Sequence, residues 1–181
     1  MTRMPITTMS AARDMGLDAQ AVALLRDDMT EREAVHTVLA HGHPGAALRL
    51  ALRLMPRGYV VPWLCQCARN ETLDDDALDG VLVAEAWLRE RGEARRRAAL
   101  TFAAERHYVG VAALIAASAG WAEGFLLDGE GREVAPVAPQ LVAVVAAAVL
   151  LTFASTSPDF NGRCRLFIAA AMGLLPPEDS I

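Results

Sequence analysis

The sequence predicts an all-α fold, a single-domain antiparallel helical bundle of about seven to nine helices. Three observations predict it. Hydrophobic residues make up 54% of the 181 and charged ones 22%, enough apolar material for one packed domain. Alanine, leucine, valine and arginine dominate, a mixture that leans to helices. No run of strand length alternates Val, Ile or Thr with polar residues. Residues 1–17 read as an irregular or weakly helical segment, 18–175 as the helical domain and 176–181 as a C-terminal tail.

The elements follow from local signals. Asp18 caps a short helix through about Asp28. Thr30-Glu31-Arg32-Glu33 is a capping box, in which the hydroxyl and the carboxylate each serve a free amide of the first turn. The helix it opens carries Ala34, Val35, Val38 and Leu39 and stops at Gly42. Pro44 suits the first turn of the next helix, where a missing N–H costs nothing, and Pro56 ends it. A helix from about Tyr59 to Arg69 follows; Pro62 inside it predicts a kink or a delayed start. Thr72 or Asp74 caps a helix through Arg91 with Leu78, Val81, Leu82, Ala84, Trp87 and Leu88 as its apolar stripe. Gly92 precedes a helix from Glu93 to about Tyr108, and a turn at Val109-Gly110 leads into one that runs to Ala119. Residues 125–139 read as the one long loop, turning at Asp128-Gly129-Glu130-Gly131, before two last helices over about 138–155 and 159–174.

Composition also limits function. The chain has no lysine, its 17 basic residues all being arginine, and its net charge is −5. A nucleic-acid-binding domain usually shows a basic face; the only dense basic run here, Arg95-Arg96-Arg97, lies among Glu90, Glu93 and Glu105 and reads as a solvated helix face. Nucleic acid is therefore not an expected partner. The uncharged stretch around Leu141–Ala154 is shorter than the roughly twenty apolar residues a bilayer needs, so it reads as a buried helix and not a membrane insertion. The N-terminus lacks a signal-like apolar region, and three cysteines make no disulfide framework, so a cytoplasmic location is expected.

Candidate chemistry is sparse. Cys65 and Cys67 sit two apart, about 200° around a helix, so they read as buried core thiols and not as ligands to one metal. His41-Gly42-His43 with His36 upstream offers a metal-site pattern, but His36 and His41 fall at a helix end, where an imidazolium meets terminal carbonyls; these and His107, at the end of its own helix, read as structural or solvated histidines. Asp74-Asp75-Asp76 suits a helix N-terminus and lacks EF-hand spacing. Glu85 and Arg89 form an ordinary i,i+4 pair. No nucleophile elbow, phosphate loop or dinucleotide fingerprint is present, so no catalytic residue, metal or cofactor is expected. Trp63 and Trp87 read as core; Trp121, beside the long loop, suits core and interface about equally.

The segment Leu50-Ala51-Leu52-Arg53-Leu54-Met55-Pro56-Arg57, then Trp63 and Cys65-Gln66-Cys67-Ala68-Arg69, resembles an uncharacterised bacterial family of small all-helical proteins found in type VI secretion gene neighbourhoods. Ala84-Glu85-Ala86-Trp87, Arg96-Arg97-Ala98-Ala99, Trp121 with Gly124, and the loop around Pro136 and Pro139 continue the likeness. Pro62 and Tyr59 depart from it, standing where an aromatic and a Glu-like residue are expected. A looser similarity, through Trp63-x-Cys65-x-Cys67-Ala68 and Ala84-x-Ala86-Trp87-Leu88, runs to a helical toxin-immunity family. The resemblances imply a non-enzymatic cytoplasmic accessory or adaptor protein with a protein partner, or alternatively an immunity protein that neutralises a toxin. Residues expected to meet a partner are Trp121, Phe125, Arg95 and Arg96. A third alternative is an enzyme whose unrecognised cleft is lined by Glu85, Arg69, His107 and Arg106.

Overall fold

A computed structural model describes residues 6–177, which form ten helices and one two-stranded ribbon. In chain order these are α1 Thr8–Asp14, α2 Ala19–Ala23, α3 Glu31–Ala40, α4 Pro44–Leu54, α5 Arg57–Arg69, α6 Asp75–Arg89, α7 Glu93–Glu105, α8 Gly110–Gly120, β1 Phe125–Leu127, β2 Glu133–Pro136, α9 Leu141–Ser155 and α10 Phe160–Met172. The fold is all-α in all but the ribbon. Residue packing groups the chain into two compact units: one runs to Pro56 and resumes at Ala154, the other is Arg57–Phe153.

In the first unit, the stretch expected to be irregular or weakly helical holds α1, whose Thr7 hydroxyl accepts the Ser10 amide as an N-cap. Asp18 caps α2 by accepting from the Ala21 amide at 2.8 Å. That helix stops after five residues, well short of Asp28. Asp27 and Asp28 would place carboxylates at the negative end of a longer helix, and the Arg26 carbonyl instead accepts the Thr8 hydroxyl at 2.9 Å. The capping box of α3 forms in full, and Gly42 leaves the helix at φ +88°, where glycine has no Cβ to clash. Pro44 starts α4, which packs against α1, α3 and α10 and therefore buries most of its circumference. Two arginines hold this unit at its edges: Arg53 pairs with Asp14 at 2.8 Å, and Arg32 donates to the Leu175 and Pro176 carbonyls. The expected tail at 176–181 lies mostly outside the described residues.

In the second unit, α5 begins at Arg57, earlier than Tyr59, with Pro62 inside it. Proline there has no N–H for the Gly58 carbonyl, yet the helix start is not delayed. Val60, Val61, Trp63 and Leu64 bury themselves around the proline, and that packing outweighs the missing bond. Asp74 caps α6 through the Ala77 amide at 2.8 Å. α8 packs against α5, α6 and α7 and is buried almost all round. Its alanines permit close approach: Ala113, Ala116 and Ala117 cluster with Ala103 of α7, flanked by Val83, Phe102 and Trp121. Gly80 of α6 lies so near α8 that a Cβ would overlap the Ala112 backbone.

Two further expectations change in this unit. α7 ends at Glu105 and not at Tyr108, because His107 and Tyr108 take left-handed backbone conformations at φ 53° and 56°. The Tyr108 amide donates back to the Ala103 carbonyl at 2.9 Å, closing the helix end. The Tyr108 ring stacks on Trp121 with centroids 5.2 Å apart. The second change is the loop at 125–139, which contains an antiparallel ribbon pairing Phe125 with Pro136, Leu126 with Ala135 and Leu127 with Glu133. The Asp128 carboxylate ties its turn by accepting the Glu130 and Arg132 amides, each at 2.9 Å. α9 is largely buried along its length. Among the described residues no helix is long and apolar enough to cross a membrane.

Candidate functional site

The three adjacent arginines of α7 have different fates. Arg95 is exposed and pairs with Glu90 at 2.9 Å. Arg97 pairs with Glu93 and donates to the Gly131 carbonyl at 2.8 Å. Arg96 is only 4% exposed, which overturns the solvated reading of the whole run. It shares the buried stripe with Ala99, Leu100 and Ala103, at helical spacings of three, four and seven.

Burial of a guanidinium is tolerated when every face of it has a partner. Arg96 donates through Nε and Nη2 to the two Glu93 carboxylate oxygens at 2.7 and 2.8 Å. Its Nη1 donates to the carbonyls of Gly120 at 3.3 Å and Phe125 at 3.0 Å. One side chain thus joins the end of α8 to the start of β1. Gly124, at φ +80°, lies against the guanidinium: an added Cβ would sit 3.2 Å from Arg96 Cζ. The Arg96 hydrogen bonds, reinforced by Arg97, hold the Glu93 carboxyl at about 2, well below its ordinary value.

This mount carries the corner of residues 121–125. Trp121 is half-buried on Tyr108, and its carbonyl accepts from Arg57 Nη2 at 3.1 Å. Phe125 remains 41% exposed and Val134, on the other strand, 60%. Of the four residues expected to meet a partner, Arg95 and Phe125 stand at the surface, Trp121 stands partly so, and Arg96 supports them from inside. Beside the corner lies a cleft of about 340 Å3, walled by Arg57, Gly58, Val61, Pro62, Trp87 and Arg91 together with residues 122–124.

The other candidates resolve individually. Trp63 and Trp87 are core residues. Cys65, Cys67 and Cys164 are buried cysteines that form no disulfide, and burial, with Glu85 nearby, pushes Cys65 up to about 12. His41 caps α3, its Nδ1 2.8 Å from the Thr37 carbonyl. Among the described residues no group of three His, Cys, Asp or Glu side chains is arranged to hold a metal ion.

Of the quartet Glu85, Arg69, His107 and Arg106, the two arginines are engaged in separate ion pairs. Arg69 engages both Glu85 oxygens at 2.9 and 2.7 Å, whereas Arg106 engages Asp76 at 2.7 Å. Asp76 and Glu85 are nine residues apart on α6, about 13 Å along its axis. Arg69, not the i,i+4 neighbour Arg89 at 3.8 Å, is the main partner of Glu85 and holds its carboxyl below the ordinary range.

A helical scaffold with a ribbon mounted on a buried arginine defines the class of this protein in structural terms only. Residues 34–175 match the family of unknown function DUF6931, and the chain belongs to that family. No curated protein and no solved structure matches it.

Proposed function

We propose that the protein is a non-enzymatic accessory protein of a type VI secretion system, acting in the cytoplasm through contact with another protein. The observation that supports this reading is the mount at Arg96. A buried charge with four hydrogen bonds fixes the carbonyls of Gly120 and Phe125, while the Phe125 and Val134 side chains are left at the surface. Exposed apolar side chains on a fixed backbone suit recognition, because little ordering remains to be done on binding. Trp121, Phe125 and Arg95 are the proposed contact residues. Deleting the gene should impair secretion without harming the cell, and the protein should co-purify with a secretion component. Normal secretion in the deletion strain contradicts this assignment.

The immunity reading draws on the tryptophan–cysteine motif, whose Trp63, Cys65, Cys67 and Trp87 are all buried. Burial makes these residues part of the scaffold that an immunity protein would share. It predicts rescue of cells from a toxin encoded nearby and a one-to-one complex with that toxin.

A further inference from the structure

The cleft beside the corner combines features that the contact reading does not use. Its lining includes the apolar side chains of Val61, Pro62, Ala122 and Trp87. Two guanidinium groups and one carboxylate, from Arg57, Arg91 and Glu123, line it, a balance of one positive charge. Arg91 lies 4.8 Å from the centroid of the Trp87 ring and 3.4 Å from the Glu123 carboxylate. Both members of that ion pair are about half exposed, at 48% and 61%, so opening it costs little. Arg57 is held by its bond to the Trp121 carbonyl, which fixes the second cation at the α5 end of the cleft.

We propose that this cleft binds a small free carboxylate carrying a flat apolar body of about phenyl size, with Glu123 acting as the internal competitor for Arg91. The carboxylate replaces that of Glu123 on the Arg91 fork, a geometry guanidinium groups favour. The apolar body lies on Val61, Pro62 and Trp87. The volume of about 340 Å3 is at the small end of the range for ligand sites. A single excess positive charge suits a monoanion, and the apolar walls give a bare phosphate nothing to contact. The assignment is independent of the secretion role: either stands if the other fails.

Titration of the full chain with phenylacetate, followed by the Trp87 indole and arginine side-chain NMR signals, tests it. Phenylacetate should give saturable shifts at these residues. Phenylacetamide and inorganic phosphate should each bind at least ~10-fold more weakly, the discrimination expected of a charge-assisted bond. Arg91→Gln should weaken phenylacetate by ~10-fold, and Glu123→Gln should strengthen it by ~3-fold because the competitor loses its charge. Both positions are exposed, so an unchanged denaturation midpoint confirms that each variant is folded. Absence of saturable shifts overturns the proposal. So does equal binding of the amide or of phosphate, an Arg91→Gln variant that binds as well as the parent, or binding of glycylglycylphenylalanine alone, which would make the cleft a site for chain ends.

Discussion

Two arginine–glutamate forks in the second unit have nearly the same geometry and opposite structural weight. Arg69 grips Glu85 at 2.9 and 2.7 Å; Arg96 grips Glu93 at 2.7 and 2.8 Å. The Arg69 side chain is 41% exposed and bridges α5 to α6, whereas Arg96 is 4% exposed and also holds two backbone carbonyls. Water can replace what Arg69 provides. At Arg96 it has little access, and the carbonyls of Gly120 and Phe125 both accept from this one side chain. Short distances alone therefore say little about what a salt bridge contributes; burial and the number of groups that rely on it decide.

Substitutions should expose that difference. Arg96→Met keeps the apolar stem but removes every donor, and should destabilise the fold by about 3 kcal/mol through unsatisfied buried carbonyls. Arg96→Lys restores the charge without the planar fork, and should still lose about 2 kcal/mol. Urea midpoints at constant m-value measure both. Equal and small losses in the two variants would mean that water reaches the site.

Acid should act on the same fork. The folded Glu93 carboxyl is held near 2, below its ordinary 4.5, so it binds fewer protons folded than unfolded. Its contribution is complete above about 4.5 and is lost as pH falls toward 2. Glu93→Gln should flatten the fall in stability across that window, as followed by urea midpoints at successive pH values. A slope unchanged by the substitution would assign the acid sensitivity elsewhere. Arg69→Ala should have the smallest effect, leaving the urea midpoint at neutral pH almost where it was. Phe125→Ser, which removes an exposed apolar side chain, should likewise leave stability intact while weakening co-purification with a secretion partner.

Much of this architecture is legible in the chain. Thr30 with Glu33, Pro44, Asp74 and Gly42 each act through a few neighbouring atoms, so their roles as caps and stops are carried by local sequence. Pro62 shows where that ends: the buried neighbours of α5 override a local rule. The ribbon escapes because strands of three and four residues are too short to establish an alternation, even though its turn residues stand out. The early end of α7 comes with left-handed backbone at His107 and Tyr108, and Tyr108 there stacks on Trp121, thirteen residues away in sequence. The spacing of Arg96 to Ala99, Leu100 and Ala103 marks it as the inward arginine of the three, but an uninterrupted basic run suggests solvent. The cleft beside the corner gathers residues from α5, α6 and the segment after α8, which no local motif announces.

Hydrogen exchange on Arg96→Lys and Arg69→Lys, compared with the parent chain, tests most directly whether the buried fork mounts the corner. The amides of Val137, bonded to the Gly124 carbonyl at 3.1 Å, and Asp128, bonded to the Arg132 carbonyl at 2.9 Å, report on the ribbon. The account predicts that Arg96→Lys lowers their protection far more than that of α6 amides, and that Arg69→Lys changes neither. Equal loss of ribbon protection in the two variants, or none in Arg96→Lys, would contradict it.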